Sequence, residues 1–248
     1  MYAHRFSKQA EKYARYRPLY PPELYAALAG VAPGHELAVD CATGNGQAAL
    51  GLAQHFRRVA ASDANLRQLG LAMPGDGVSY CAAQVEQLPL AGHSADLVSA
   101  AMAFHWFEFE PFFAEARRVL RPGGVLAVWG YDRAEVEPGI EAVLDHYEYV
   151  VTEPYRPKRV KLLADGYRSA PFPLQEIPLP QFYMQADWRM DELIGYLESW
   201  SMTQLLIDEQ GPAPLHTLRR ELARAWGDPN LPRRIRWPLG LRAGRFAA

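Results

Sequence analysis

Asp40 closes the apolar run Glu36-Leu37-Ala38-Val39 and is followed at once by the turn Thr43-Gly44-Asn45-Gly46 and a helix-compatible stretch. Glycines in such a turn let the backbone bend sharply and come close to a ligand, and the helix start offers backbone N–H groups without partners of their own. Two phosphate-binding patterns are not matched: Ala49 stands at the third glycine position of G-x-G-x-x-G, and no Gly-Lys-Ser/Thr follows. About twenty residues beyond the turn the next apolar run ends in Ala61-Ser62-Asp63, where an acidic side chain can accept from both hydroxyls of a ribose. The pair suits a nucleoside ligand. The structural alternatives are a tight strand-to-helix turn without a ligand and Asp63 as N-cap of a helix beginning at Ala64.

A second concentration of chemistry is Phe104-His105-Trp106-Phe107, directly after a later apolar run. His105 is a candidate base because imidazole titrates near neutrality; the alternative is a histidine that bonds backbone while the aromatics pack. The other histidines, His4, His35, His55, His93, His146 and His216, show neither H-E-x-x-H nor cysteine-paired spacing, so no metal site is predicted. Cys41 and Cys81 each end an apolar run and read as packed thiols. Of Trp188, Trp200, Trp226 and Trp237, at least three read as structural, and Arg233-Arg234-Ile235-Arg236 as solvated charge before the last strand.

Strand-length apolar runs alternate with amphipathic segments through the first half, the pattern of a parallel sheet with helices on its faces. The predicted strands are Glu36 to Cys41, Arg58 to Ser62, Val78 to Ala82, Asp96 to Met102 and Gly124 to Tyr131. Helices are predicted at Gln47 to Phe56, Ala64 to Leu71 and Pro111 to Leu120, the last stopped by Arg121-Pro122-Gly123-Gly124. Further on come a helix at Pro138 to Val150, a polar, proline-marked insertion or lid from Thr152 to Pro173, and extended chain at Phe172 to Gln185. Helices at Met190 to Trp200 and Pro214 to Trp226 and a last strand at Ile235 to Phe246 complete the reading. With 248 residues, 49% of them hydrophobic, one domain is the default, and a net charge of −2 supplies no field that would gather nucleic acid or anionic lipid. No apolar run reaches the ~18 residues of a membrane span and no secretory h-region opens the sequence, so a cytoplasmic setting is expected.

These residues resemble the class I S-adenosylmethionine-dependent methyltransferases, in particular the small-molecule branch similar to trans-aconitate and quinone-biosynthesis methyltransferases. Phe6 with Tyr13 and Tyr16-Arg17-Pro18-Leu19-Tyr20-Pro21 look like the family's Y-x-x-x-R-P-x-Y-P entry segment. Val39-Asp40-Cys41-Ala42-Thr43-Gly44-Asn45-Gly46-Gln47 looks like its first motif, with Cys41-Ala42 in place of the first glycine region. Asp63 matches the acid of the second strand, and Gln84-Val85-Glu86-Gln87-Leu88-Pro89-Leu90 resembles the loop after the third, with Gln84 and Val85 where many members carry Asp or Ser, then Ala. Ala95-Asp96-Leu97-Val98 leading to His105-Trp106-Phe107, Leu120-Arg121-Pro122-Gly123-Gly124, and Gly195-Tyr196-Leu197-Glu198-Ser199-Trp200-Ser201 resemble its later signatures.

The resemblance implies a Rossmann-like, doubly wound, mostly parallel seven-stranded sheet with an antiparallel last strand and helical additions at the N-terminus and in the C-terminal half. It implies one domain over residues 1–248: a lid segment at 1–30, a cofactor core at 31–132, and substrate-side helices and last strands at 133–248. S-adenosylmethionine would lie with Asp40, Thr43, Gly44 and Gly46 around its methionine and ribose, Asp63 and Ala64 at ribose and adenine, and Gln84 and Val85 flanking adenine. Ala101 would supply a backbone contact to the methionine amine. Tyr13 and Arg17 would form a lid, Arg17 meeting the methionine carboxylate; otherwise they belong to an exposed amphipathic helix. The partner would be a small-molecule methyl acceptor, the chain a monomer or homodimer. Because the methyl donor is already activated, transfer needs mainly alignment, and a base such as His105 matters only for a hydroxyl or an acidic carbon. An NAD(P)-linked oxidoreductase and a non-catalytic cofactor binder are the competing readings.

Overall fold

The computed structural model describes residues 16–247. In chain order they form α1 (Pro22–Val31), β1 (Leu37–Cys41), α2 (Gln47–Leu52), β2 (Arg58–Asp63), α3 (Leu66–Leu69), β3 (Val78–Ala82), β4 (Ala95–Ala101), α4 (Phe109–Val119) and β5 (Leu120–Gly130). There follow α5 (Pro138–His146), a π-helical turn at Tyr147–Val151, β6 (Gln175–Glu176), β7 (Tyr183–Trp188), α6 (Met190–Glu198), α7 (Ser201–Gln210), α8 (Ala213–Trp226), β8 (Arg233–Pro238) and β9 (Gly240–Arg245). β1 is buried throughout and β4 at all but its last residue, as central strands of a sheet covered on both faces must be.

The main sheet runs β3-β2-β1-β4-β5-β9-β6. The pairs among β1 to β5 are parallel, while β9 is antiparallel to both β5 and β6. Strand order therefore reverses between β1 and β4, and the loops leaving those two strands diverge there; a ligand of an open α/β sheet sits at such a point. Registers Asp40↔Ser99 and Ala101↔Trp129 put these four side chains on one face. At the opposite end of the strands, Asp96 is fully buried, takes the Glu36 and Leu37 N–H groups at 2.8 and 3.0 Å and pairs with Arg121 at 2.9 Å. That end is stitched shut.

The described residues cluster into two compact units. One comprises Tyr20–Asp132, Leu162–Tyr183 and the chain from Leu239, and contains the main sheet. The other comprises residues 16–19, Arg133–Lys161 and Met184–Pro238, built from α5, α6, α7 and α8 and the paired strands β7 and β8. In this second unit Tyr16 fills the space beside Gly195, where a Cβ would stand 2.7 Å from its ring, and Arg17 lies over the Tyr196 ring at 5.1 Å. The entry segment and the Gly195-Tyr196 signature thus meet.

Four expectations are corrected. The helix predicted at Gln47 to Phe56 stops at Leu52, and that at Ala64 to Leu71 shrinks to α3, capped by Asn65 accepting from Arg67 N at 3.0 Å. Asn65, not Asp63, is the N-cap. α1 and α7 fall among the helical additions expected at the N-terminus and in the C-terminal half, but their bounds were not predicted: α7 buries only Met202, Thr203 and Leu206, a stripe too thin to read as amphipathic. The single last strand is two, because Pro238 lacks the N–H needed to continue a ladder; β8 pairs with β7 and β9 with β5, so the arginines at 233, 234 and 236 lie within a strand. Trp200, Trp226 and Trp237 are buried, and both cysteines are free thiols. Among the described residues no helix is long and apolar enough to cross a membrane, and no group of three or more His, Cys, Asp or Glu is arranged to hold a metal.

Candidate active site

The carboxyl tips of β1, β2 and β4 form the candidate site. Asp40, fully buried, accepts from the Thr43 hydroxyl at 2.5 Å and from the Ser99 hydroxyl at 3.1 Å. Thr43 is in turn held to β2 by its N–H, which donates to the Ser62 carbonyl at 2.9 Å. The turn that follows needs left-handed backbone: Gly44 has φ +59 and Gly46 φ +87. Beside Gly46 the space is taken by the Tyr80 phenol, whereas a Cβ on Gly44 would meet nothing within 4 Å. Gly44 thus borders open space where the strand tips converge.

Asp63 binds the turn from the neighbouring strand. Its Oδ2 accepts from Gly44 N at 2.9 Å and its Oδ1 from Asn65 N at 2.8 Å. A carboxylate oxygen has two lone pairs, so each retains one for a further donor. Burial raises the Asp63 pKa against the lowering effect of the two amides, which leaves an incompletely solvated acceptor. Ser62 Oγ, beside it, is buried without a partner among the described residues.

The loop after β3 carries Gln84, exposed, and Val85, buried, and is tied to the same tip by Ala83 N donating to Asp63 O at 3.3 Å. Its far end is clamped by α4. Glu115 accepts from Leu88 N at 2.6 Å, while Arg118 donates to Leu88 O at 3.1 Å and Leu90 O at 2.8 Å and grips Glu115 with two nitrogens. The Arg118 hydrogen bonds hold the Glu115 carboxyl below the usual carboxylate range.

Two non-glycine residues at the reversal point are left-handed: Ala42 after β1 (φ 54) and Met102 after β4 (φ 52). Left-handed non-glycine residues are enriched at functional sites, and here two sit on adjacent strand tips. Met102 follows Ala101 directly and leads into the short 3₁₀ turn Phe104–Trp106, where His105, 3% exposed, has its Nδ1 3.0 Å from the Tyr167 hydroxyl. Trp129, level with Ala101 on β5, is fully buried, and its indole N–H has no acceptor among the described residues.

Asp40, Thr43, Gly44, Gly46, Asp63, Ala64, Gln84, Val85, Ala101 and His105 therefore belong to one compact unit at one sheet edge. Arg17 belongs to the other, and Tyr13 lies outside the described residues. The sequence reading missed Ser99, Tyr167, Trp129 and the Glu115–Arg118 clamp; only the i, i+3 spacing of that last pair is a local signal.

Burial pushes the Asp40 carboxyl up to about 6, against the Thr43 and Ser99 hydrogen bonds and aided by the charge of Asp63. Its folded pKa thus exceeds the unfolded value near 4, so the folded chain holds this proton more tightly. The resulting stability is complete below about pH 4 and is lost as pH rises through about 6. Glu115 and Asp187, whose pKa values are lowered, act below that window. Ligand-free protein is expected to lose about 3 kcal/mol through Asp40 between pH 4 and 7, and Asp40→Asn to flatten that part of the profile in thermal melts. An unchanged slope in the variant would show that Asp40 does not titrate there.

Residues 39–128 match the family described as the methyltransferase domain, and they span the strand tips just described. The chain superposes on a candidate type II methyltransferase from Anaeromyxobacter dehalogenans with a TM-score of 0.87 and 40% identity, covering 92% of this chain and 97% of that one. The chain belongs to the class I methyltransferases. This methyltransferase is also 27% identical over 227 residues to a candidate methyltransferase of Dictyostelium discoideum, covering 90% of its own length and 86% of that protein. A malonyl-[acyl-carrier protein] O-methyltransferase of Methylococcus capsulatus is 47% identical over 64 residues, 25% of this methyltransferase and 23% of that enzyme.

Proposed function

We propose that the chain transfers a methyl group from S-adenosylmethionine to a small-molecule acceptor. The observation that carries this reading is Asp63: a half-buried carboxylate, braced by Gly44 N and Asn65 N, with one lone pair left on each oxygen beside the open space at Gly44. That arrangement fits the two vicinal hydroxyls of a ribose. Asp40 and Thr43 would line the sugar and amino-acid portion, and Gln84 and Val85 the adenine. When bound, the cofactor supplies an activated methyl group on a sulfonium.

The chain's own share is alignment and exclusion of water, and the buried strand tips are suited to both. A carboxylate acceptor needs no base, and the sequence shared with malonyl-[acyl-carrier protein] O-methyltransferase favours including carboxylates among the candidates. A hydroxyl or acidic carbon would give its proton to His105.

Calorimetric titration separates the readings. S-adenosylhomocysteine is expected to bind with a Kd on the order of 1 μM, about −8 kcal/mol, and NADH not to bind; the reverse result would replace methyl transfer with redox chemistry. Gly44→Ala is the matching variant. Its Cβ has space in the folded chain, so the left-handed φ costs about 1–2 kcal/mol of stability, yet it projects into the space assigned to the ligand and should abolish measurable binding. Binding at parental strength by that variant would move the cofactor elsewhere. The acceptor is then sought among small acids, phenols and quinol precursors by S-adenosylhomocysteine release.

A further inference from the structure

Tyr167 stands out among residues that the sequence did not single out. It lies in the polar, proline-marked stretch, yet its side chain is fully buried. Its φ is +67, directly after Gly166 at φ +63, and a bulky residue in the left-handed region persists only where its surroundings hold it there. Three separate features do so. Gly166 and Gly240 cross backbone against backbone, leaving no room for a Cβ on either. Arg242 on β9 donates to the Tyr167 carbonyl at 2.9 Å and to that of Ala170 at 3.0 Å. At the ring, Phe104 packs edge-on at 5.3 Å, and Gly130 at the tip of β5 makes way for the hydroxyl, since a Cβ there would stand 2.9 Å from it.

These constraints set the phenol against His105. The phenol oxygen is 3.0 Å from Nδ1 of His105, and the two rings lie nearly parallel, at 22° with centroids 6.0 Å apart. A histidine has two chemically distinct nitrogens, and the hydrogen bond made by one decides which carries the proton. A tyrosine placed only for packing would require neither the strained backbone nor this oxygen position.

We propose that Tyr167 is the positioning residue for His105: its phenolic oxygen accepts from Nδ1–H and so leaves Nε2 unprotonated, as a proton acceptor for the methyl acceptor's hydroxyl or acidic carbon. The proposal rests on the methyl-transfer reading. As the acceptor oxygen or carbon bonds to the methyl carbon and the carbon–sulfur bond breaks, its electrons remain on sulfur. The acceptor's proton passes to Nε2, giving an imidazolium whose Nδ1–H still faces the Tyr167 oxygen. A neutral thioether, a methylated acceptor and one proton on His105 balance the step.

Long-range ¹H–¹⁵N spectra of full-length protein labelled with ¹⁵N-histidine and saturated with S-adenosylhomocysteine report the tautomer of each ring. The His105 signals are those missing in His105→Gln. The expected result is the Nδ1–H tautomer for His105 in the parent and a shift toward Nε2–H in Tyr167→Phe. An Nε2–H ring in the parent, or identical His105 signals in parent and variant, overturns the proposal. Calorimetry on the same sample keeps the two layers apart: absent S-adenosylhomocysteine binding removes the methyl-transfer reading and this role with it, while binding with the wrong tautomer removes Tyr167 alone. With a hydroxyl or acidic-carbon acceptor from the screen, Tyr167→Phe should lower kcat by about tenfold or more and leave the KM for S-adenosylmethionine within about twofold; an unchanged kcat counts against it.

Discussion

Asp63→Ala is expected to weaken S-adenosylhomocysteine binding by about 3 kcal/mol or more, roughly a hundredfold in Kd. Two losses add. The ribose forfeits a charged acceptor, and Gly44 N and Asn65 N lose the oxygens that set the glycine turn. Stability should move much less, because burial makes the Asp63 charge unfavourable in the empty site and its removal offsets part of the lost hydrogen bonding. Calorimetry beside thermal melts distinguishes the two effects. Parental affinity in the variant would remove Asp63 from the cofactor site.

Gly240→Ala should have the largest effect on folding, a loss of about 3 kcal/mol or more measured by denaturant unfolding. A Cβ there would lie 2.2 Å from Gly166 Cα, 3.2 Å from its carbonyl carbon and 3.4 Å from its nitrogen, all main-chain atoms. Gly240 is also paired with Gly130 in the β5–β9 ladder, so relief requires pulling a strand off the sheet or displacing the turn that presents Tyr167. Gly46→Ala is the instructive contrast. Its Cβ meets the end of the Tyr80 side chain, which can move by giving up its hydrogen bond to the Met73 carbonyl, so the cost should be the ~1–2 kcal/mol typical of a left-handed alanine plus at most about 1 kcal/mol for that bond. Equal stability of the two variants would mean that the Gly166–Gly240 crossing yields easily.

The central strands were legible because strands buried on both faces must be continuous apolar runs: β1 and β4 were predicted to within one residue at either end. β3, an edge strand with no fully buried residue, was predicted residue for residue at Val78–Ala82 from its place in the alternation of strand and helix. Helix ends were harder to place, since α2 stops where Gln54 N turns back to Gly51 O, a local choice that periodicity does not record. In the candidate site, Asp40, Thr43, Gly44 and Asp63 could be singled out because they stand in short-range spacing around one turn. Ser99 reaches Asp40 across 59 residues and Tyr167 reaches His105 across 62, so neither contact leaves a mark in any local window. The reading of Thr152 to Pro173 as an insertion or lid rested on its polarity and prolines, and those are the features that hide a buried tyrosine.

The outer edge of β5 is covered by β9, which is encoded more than a hundred residues downstream. At about 5–20 residues per second, a nascent chain leaving the ribosome carries that strand with one row of amides and carbonyls bare for roughly 5–20 s. An apolar edge left open for so long is a template for pairing with other chains, so yield in cells should depend on holdase chaperones and on any pause between the codons for Gly130 and Gly240.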